Sequence, residues 1–209
     1  VGTVAAGSSY TLGNIVNGIF EYTGASTLAS NGTLVSGVNS AVFLNGSSIT
    51  ANSGAIGVAA IALDGQYTGS SSLPSGMSSN IDGENNGSIV LGDSSVGLYG
   101  KNDSRLSNLN VITMGDNSAG MMTSGVNSLI TNNGVITLGS GSQGMFLKDG
   151  TNITNSAGAS IISTGTNAVG IYADNISAPI LNDGTIQLLG DKSIGIYTKG
   201  ASIKTINNT

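Results

Sequence analysis

The second half of the chain repeats one short motif five times at nearly constant intervals. Each copy has a glycine followed by an apolar residue and then by an aromatic residue or methionine: Val96-Gly97-Leu98-Tyr99, Ala119-Gly120-Met121-Met122, Gln143-Gly144-Met145-Phe146, Val169-Gly170-Ile171-Tyr172 and Ile194-Gly195-Ile196-Tyr197. The glycines lie 23, 24, 26 and 25 residues apart. A period of this length without helix-forming runs is typical of a solenoid of stacked β-coils.

Within one period, apolar residues alternate with polar ones in short runs that turn-forming residues separate. Ile89 and Leu91 form one such pair, Val96 and Leu98 a second, and Leu106 begins a third run. Alternation of this kind predicts half-buried strands. We therefore predict an all-β fold, a right-handed parallel β-helix of about eight coils with ~24 residues each, in which every strand pairs with its copy in the next coil.

The predicted organisation is a single β-helical segment, 1–209, with one interruption. Residues 83–209 form regular coils, 64–82 form a Gly/Ser-rich inserted loop, and 1–63 form degenerate coils. In the degenerate part, Gly18-Ile19-Phe20 and Ala41-Val42-Phe43 match the glycine motif, and Ile56-Gly57-Val58 is assigned to an irregular coil. We expect the chain to be a piece of a longer protein.

Composition excludes several classes of function. The chain has no Cys, no His and no Trp, so it offers no disulfide, no zinc site and no Cys-His or Ser-His nucleophile. Its six basic residues are scattered and its net charge is −5, which argues against nucleic acid as a partner. Its longest apolar stretch, 54–63, is too short to cross a bilayer. We expect a monomer with no cofactor, no metal and no membrane insertion of this segment.

Asparagines recur at one phase of the repeat, always two residues after an apolar residue. These are Asn108, Asn132, Asn155 and Asn182. Stacked coils would place them above one another, where each amide can bond the next. The other interpretation is a groove lined with Asn that binds a ligand.

Two sets of residues are candidates for binding. Insertions in solenoids leave the rod on one face, often the binding face, so the 64–82 loop could bind through Tyr67, Leu73 and Met77. Strict alternation places Tyr99, Phe146, Tyr172 and Tyr197, with Met122 between them, outside the rod. There an aromatic ladder could stack on glycans, or the rings could pack against their neighbours.

Carboxylates at related positions raise the question of catalysis. Asp93 and Asp116 follow Gly92 and Gly115 in adjacent coils, which would set the carboxylates at about the ~5 Å separation of a retaining glycosidase pair. A Gly-Asp corner is also ordinary turn chemistry. Asp82 and Glu84 could bind calcium, but no nonapeptide calcium repeat accompanies them. We predict that the protein is not an enzyme.

The phrases over 130–139 and 184–200, ITNNGVITLG and GTIQLLGDKSIGIYTKG, resemble the passenger repeats of large type V autotransporter adhesins, above all those of fusobacteria. The resemblance implies a right-handed β-helix on the cell surface, anchored to the outer membrane by a C-terminal barrel outside this sequence. It also implies attachment to a host cell-surface protein or glycan, or to other bacteria. Two alternatives remain, a purely structural stalk of the adhesin and a polysaccharide-active β-helix enzyme.

Overall fold

The computed structural model describes residues 48–51, 53–61, 81–101, 104–200 and 205–209, and the backbone of six short strands before residue 46. These residues form strands and turns. They include no helix, and therefore no helix that is long and apolar enough to cross a membrane. The strands are β1 (Gly2–Thr3), β2 (Tyr10–Thr11), β3 (Gly18–Tyr22), β4 (Ser26–Leu28), β5 (Val35–Ser36), β6 (Ala41–Asn45), β7 (Ser48–Ala51), β8 (Ile56–Ile61), β9 (Ile81–Asn85), β10 (Ser88–Leu91), β11 (Val96–Lys101), β12 (Ser104–Asn108), β13 (Val111–Met114), β14 (Ala119–Ser124), β15 (Leu129–Asn132), β16 (Val135–Leu138), β17 (Gln143–Lys148), β18 (Ile153–Asn155), β19 (Ser160–Ser163), β20 (Val169–Asp174), β21 (Ile180–Asn182), β22 (Thr185–Leu188), β23 (Ile194–Lys199) and β24 (Ile206–Asn208).

Three parallel sheets run along the solenoid. Sheet A has nine strands in the order β1-β3-β6-β9-β12-β15-β18-β21-β24, sheet B seven in the order β22-β19-β16-β13-β10-β7-β4, and sheet C six in the order β23-β20-β17-β14-β11-β8. Strands β2 and β5 pair separately. From β9 onward each coil supplies one strand to A, then B, then C, and each strand pairs with its copy one coil later. The predicted parallel β-helix is confirmed.

The repeated motif is in register from coil to coil. Leu98 pairs with Met121, which pairs with Met145, and the series continues to Ile171 and Ile196. The solenoid makes about five such turns, from β9 to β23, and not the eight that we predicted. The expected number was too large because it counted the whole N-terminal region as regular coils. Strands there do join sheets A, B and C, but β2 and β5 pair apart from them.

One N-terminal assignment also changes. Strands β3 and β6 carry the phrases Gly18-Ile19-Phe20 and Ala41-Val42-Phe43, and both belong to sheet A, not to the sheet of the glycine motif. Their apolar alternation resembles the motif closely enough to mislead. Ile56-Gly57-Val58, assigned to an irregular coil, lies in sheet C, where Ile56 pairs with Val96 and Val58 with Leu98.

The core consists of inward apolar columns from all three sheets. The innermost column of sheet B consists of isoleucines, and Leu91, Met114 and Leu138 form a second buried column beside it. The column of sheet A mixes leucine and isoleucine, and that of sheet C also contains methionine. The innermost members are 0–1% exposed: Ile49, Ile89, Ile112, Ile136 and Ile161 from B, Leu98, Met121, Met145 and Ile171 from C, and Leu106, Ile130, Ile153 and Ile180 from A.

The motif glycine leaves space for this isoleucine column. A Cβ on Gly144 would lie 2.5 Å from the carbonyl oxygen of Gly170 and 2.7 Å from Cγ2 of Ile161. Gly97, Gly120 and Gly170 show the same arrangement one coil apart, each against the isoleucine of the following coil. None of the four has a left-handed φ, so it is close packing that requires glycine here.

The predicted asparagine ladder is present where each sheet A strand ends. The amide Nδ2 of Asn108 donates to Oδ1 of Asn132 at 2.9 Å, and Asn132 donates to Asn155 at 2.9 Å. Asn85 extends the ladder at one end and Asn208 at the other. Asn108, Asn132 and Asn155 are fully buried. The ladder interpretation is therefore confirmed, because buried amides bonded to one another line no open groove.

A second ladder at the corner between sheets B and C consists of serines. The backbone N–H of Ser95 donates to Oγ of Ser118 at 3.1 Å, and the N–H of Ser118 donates to Oγ of Ser142 at 3.0 Å. All three serines are buried. The serine hydroxyls thus accept hydrogen bonds from backbone N–H groups in the turn, which have no partner strand to donate to.

The same corner uses a left-handed residue in every coil. Ser94, Asn117, Asn167 and Lys192 have φ between 52° and 60°, and Gly141 has φ 66°. Side chains other than those of Gly, Asn and Asp adopt this region at a cost of roughly 1 kcal/mol. Lys192 is exposed and so gains little packing in return.

We expect Lys192→Gly to raise the free energy of unfolding by about 0.5–1 kcal/mol, because glycine has no steric penalty at φ 60°. Chemical denaturation followed by circular dichroism measures the change. Lys148→Gly is the matched control, since Lys148 is also exposed but ends strand β17; this control should be destabilised. A loss of stability in Lys192→Gly would show that the left-handed corner carries no penalty.

Candidate binding surface on sheet C

The outer face of sheet C carries three parallel columns of side chains. Strands β11, β17 and β20 each bury their second, third and fifth residues, such as Gly97, Leu98 and Gly100, which leaves the first, fourth and sixth on the outer side. The register stacks equivalent residues of successive coils. The aliphatic column is Val96, Ala119, Gln143, Val169 and Ile194; the aromatic column is Tyr99, Met122, Phe146, Tyr172 and Tyr197; and the polar column is Ser124, Lys148, Asp174 and Lys199. The first four members of the aromatic column are half-buried, and Tyr197 is 39% exposed.

The three C-terminal rings of the aromatic column stack on one another. The ring centroids of Phe146 and Tyr172 are 5.0 Å apart with planes inclined by 34°, and those of Tyr172 and Tyr197 are 4.9 Å apart at 39°. Rings lying side by side in one plane could not approach so closely, so their faces are turned toward each other. This geometry favours the packing interpretation for the middle rings and leaves mainly ring edges and hydroxyl groups for a partner.

An ion pair joins the last two residues of the polar column. Nζ of Lys199 lies 3.6 Å from Oδ2 of Asp174, and the lysine side chain is 62% exposed. A pair this exposed contributes little to stability. Its lysine and carboxylate nevertheless place opposite charges beside the aromatic column.

The predicted binding residues fall into two groups. Tyr99, Tyr172 and Tyr197 lie in the aromatic column, where the register aligns them with Met122 and Phe146. Tyr67, Leu73 and Met77 lie outside the described residues, as do all of residues 62–80. The sequence prediction of an outward tyrosine face thus has a defined place in the fold, and that of the 64–82 loop stays a prediction.

A cleft interrupts the aliphatic column at the edge of sheet C, and we name it the Ala119 cleft. It has a volume of about 290 Å³ and extends over three coils. Val96, Ala119 and Met122 contribute apolar surface, and Asn117 and Gln143 contribute amides. Sequence reasoning missed this site, although the signal was present: Ala119 and Gln143 are the positions where the aliphatic column loses its bulk or its apolar character.

The aspartates at the corner between sheets B and C hold backbone groups. Oδ1 of Asp93 accepts a hydrogen bond from the backbone N–H of Asp116 at 2.8 Å, and Oδ1 of Asp116 accepts one from Ser140 at 2.7 Å. Each carboxylate thus secures the next coil, which favours the turn interpretation over a catalytic pair.

The other carboxylates give no metal centre among the described residues. Nowhere in that part of the chain do three potential ligand residues lie close enough to hold a metal ion. Glu84 instead lines a shallow groove of about 280 Å³ on sheet A together with Arg105, Ser107 and Thr131. The side chain of Asp82 is outside the described part of the structure.

Comparison of the chain with models of known protein families, with curated proteins and with solved structures found no match.

Proposed function

We propose that this chain is a rod-like segment of a bacterial surface adhesin and that it attaches to host cells or to other bacteria through the outer face of sheet C. The observation that carries the proposal is the partly exposed column of aromatic side chains and Met122 on the outer face of sheet C, in a solenoid of three parallel sheets. Partly exposed aromatic side chains are the residues that most often anchor protein partners and glycans. The proposed location is the cell surface, as the repeat phrases suggest.

The interior of the rod supports a display role. Buried ladders of asparagine and serine satisfy the corners, and the core is closed by apolar side chains. The corner aspartates bind backbone groups. Because these interior and corner side chains hold the coils together, the side chains of the outer faces are the ones that can contact a partner. Attachment to a partner needs no catalytic centre.

Latex beads coated with the 209-residue chain test the proposal on epithelial cells and on bacterial lawns, with albumin-coated beads as the baseline. Tyr99→Thr, Tyr172→Thr and Tyr197→Thr are combined in one variant. Multivalent display amplifies modest changes in affinity, so attachment should fall at least threefold. The matched control combines Val90→Thr, Val135→Thr and Ile162→Thr, which alter outward positions of sheet B.

Each outcome of the bead experiment separates two candidates. Wild-type beads that attach no better than albumin-coated beads would overturn the adhesive role and leave the second candidate, a spacer for another binding domain. If the wild type attaches and the tyrosine variant attaches equally well, the attachment site lies elsewhere on the chain. In that case, deletion of residues 66–79 would test the 64–82 loop.

A further inference from the structure

Two residues break the aliphatic column of sheet C in neighbouring coils. Ala119 is the smallest member of the column, and Gln143 is its one polar member. Gln143 is half-buried. The other members are Val96, Val169 and Ile194, and Ile56 of β8 pairs with Val96 in the same column.

Two more exceptions occur beside them. Between β10 and β23, Met122 is the member of the aromatic column that has no ring, and Gly141 is the glycine among the left-handed corner residues. One coil earlier, Gly54 holds the same corner and Ala59 pairs with Tyr99. All four exceptions line the Ala119 cleft. In a repeat, the coil-to-coil pattern shows what packing requires, so departures that collect at one place indicate a local role beyond packing.

The exceptions create both the space and the chemistry of the cleft. Alanine at 119 and glycine at 141 remove bulk that the adjacent coils have, whereas Met122 supplies a flexible apolar wall. Within the described residues, the side chains of Ser94, Asn117 and Gln143 make no hydrogen bond to protein. They therefore place unused amide and hydroxyl groups around an apolar floor.

This combination selects a class of ligand. Amide and hydroxyl groups both donate and accept hydrogen bonds, as do the hydroxyl and acetamide groups of sugars. Of the residues that line the cleft none is charged, so nothing there compensates a carboxylate or sulfate. The apolar floor matches the C–H face of a pyranose, and a volume of about 290 Å³ suits one ring.

We propose that the Ala119 cleft binds a single uncharged sugar ring, with its C–H face against Ala119 and Met122 and its hydroxyl groups bonded to Asn117 and Gln143. This proposal rests on the adhesive role above and names the ligand class for it. A shallow site for one ring binds weakly, so attachment to a cell would use many copies.

Methionine methyl groups give a direct readout. In ¹³C-methyl-methionine protein, Met122 reports on the cleft, whereas Met114, Met121 and Met145 are at most 4% exposed in the core and serve as internal controls. The chain is titrated with the methyl glycosides of glucose, galactose, mannose, N-acetylglucosamine and N-acetylgalactosamine, and separately with glucuronate. At least one uncharged glycoside should shift the Met122 signal saturably at millimolar concentration, and glucuronate should not.

Variants that restore the repeat separate binding from folding. Ala119→Val and Gln143→Val introduce the residue found in other coils, so both should fold, and each should weaken the glycoside at least tenfold. Ile194→Val, in the same column but away from the cleft, should bind as the wild type does. If no uncharged glycoside shifts Met122, or if Ala119→Val binds it unchanged, the proposal is overturned.

The cleft and the adhesive role can fail separately. Beads that attach to cells while no uncharged glycoside shifts Met122 would overturn the cleft proposal alone. A shift of Met122 by glycoside with no bead attachment would overturn the adhesive role alone. If N-acetyl-trialanine amide shifts Met122 and the glycosides do not, the cleft is a peptide site.

Discussion

Replacing Gly144 by alanine should lower the free energy of unfolding by about 2–3 kcal/mol, the upper part of the range of roughly 1–3 kcal/mol for overpacking a core. The added methyl group would lie 2.5 Å from the carbonyl oxygen of Gly170, a backbone atom that cannot rotate away, and 2.7 Å from Cγ2 of Ile161. Relieving this overlap requires separating two coils, and the displacement would break sheet hydrogen bonds on both sides. Urea denaturation followed by circular dichroism measures the loss.

Gly195→Ala is the matched control for this substitution. Gly195 occupies the same position of the motif, but a Cβ built on it has no atom within 4 Å. It should therefore keep nearly the wild-type stability, and strand propensity favours alanine slightly over glycine. Equal destabilisation at positions 144 and 195 would mean that glycine serves the conformation of the strand and not the approach of the next coil.

The second large effect is expected from Asn132→Asp, with a loss of about 3 kcal/mol at pH 7. In the ladder, Oδ1 of Asn132 accepts from Asn108 and Nδ2 donates to Oδ1 of Asn155. A carboxylate keeps the first bond but turns the second into contact between two acceptors. It also buries a charge at a position that is fully buried.

This loss should depend on pH. Burial raises the pKa of the introduced carboxyl above its unfolded value of about 3.9, and the protonated form can again donate to Asn155. Stability of the variant relative to wild type is therefore highest below the unfolded pKa and is lost as pH rises through the folded pKa. Denaturation curves between pH 3 and pH 7 measure the difference.

Asn208→Asp is the control at the end of the same ladder. Asn208 accepts from Asn182 at 2.6 Å and is exposed, so a carboxylate there meets no buried acceptor. Its stability relative to wild type should change little with pH. If Asn132→Asp behaves like Asn208→Asp, the amide donors of the ladder contribute nothing measurable to stability.

The sequence was sufficient for the parts of the fold that repeat side chain by side chain. The glycine motif predicted parallel stacking because a residue such as Leu98 must meet its own equivalent, here Met121, in the next coil. Asn108 and Asn132 could be assigned to a ladder for the same reason.

The errors arose where the same alternation suits two sheets. The phrase Gly18-Ile19-Phe20 matches the motif of sheet C by residue type but belongs to sheet A. The assignment depends on which strands pair, and a run of three residues does not encode that. The serine ladder was missed because serines such as Ser118 do not stand out in a chain rich in serine.

The Ala119 cleft could not be predicted from local patterns. It depends on the alignment of Asn117, Ala119 and Met122 with Gln143 of the next coil, and that alignment requires the exact register. Once the columns are known, the exceptions within them are visible in the sequence. In a solenoid the register therefore has to be established before departures from the repeat can be interpreted.

The corners between sheets C and A differ in length, whereas each described sheet C strand has six residues. Residues 125–128, 149–152 and 175–179 connect successive coils there, and 62–80 fall between β8 and β9 at the equivalent point. Val126 at one such corner is 74% exposed. Extra sequence at this edge leaves the ladders and the isoleucine column unchanged. The corners between sheets C and A are thus the positions at which new segments, including whole epitopes, can be inserted while the sheets and their ladders stay the same.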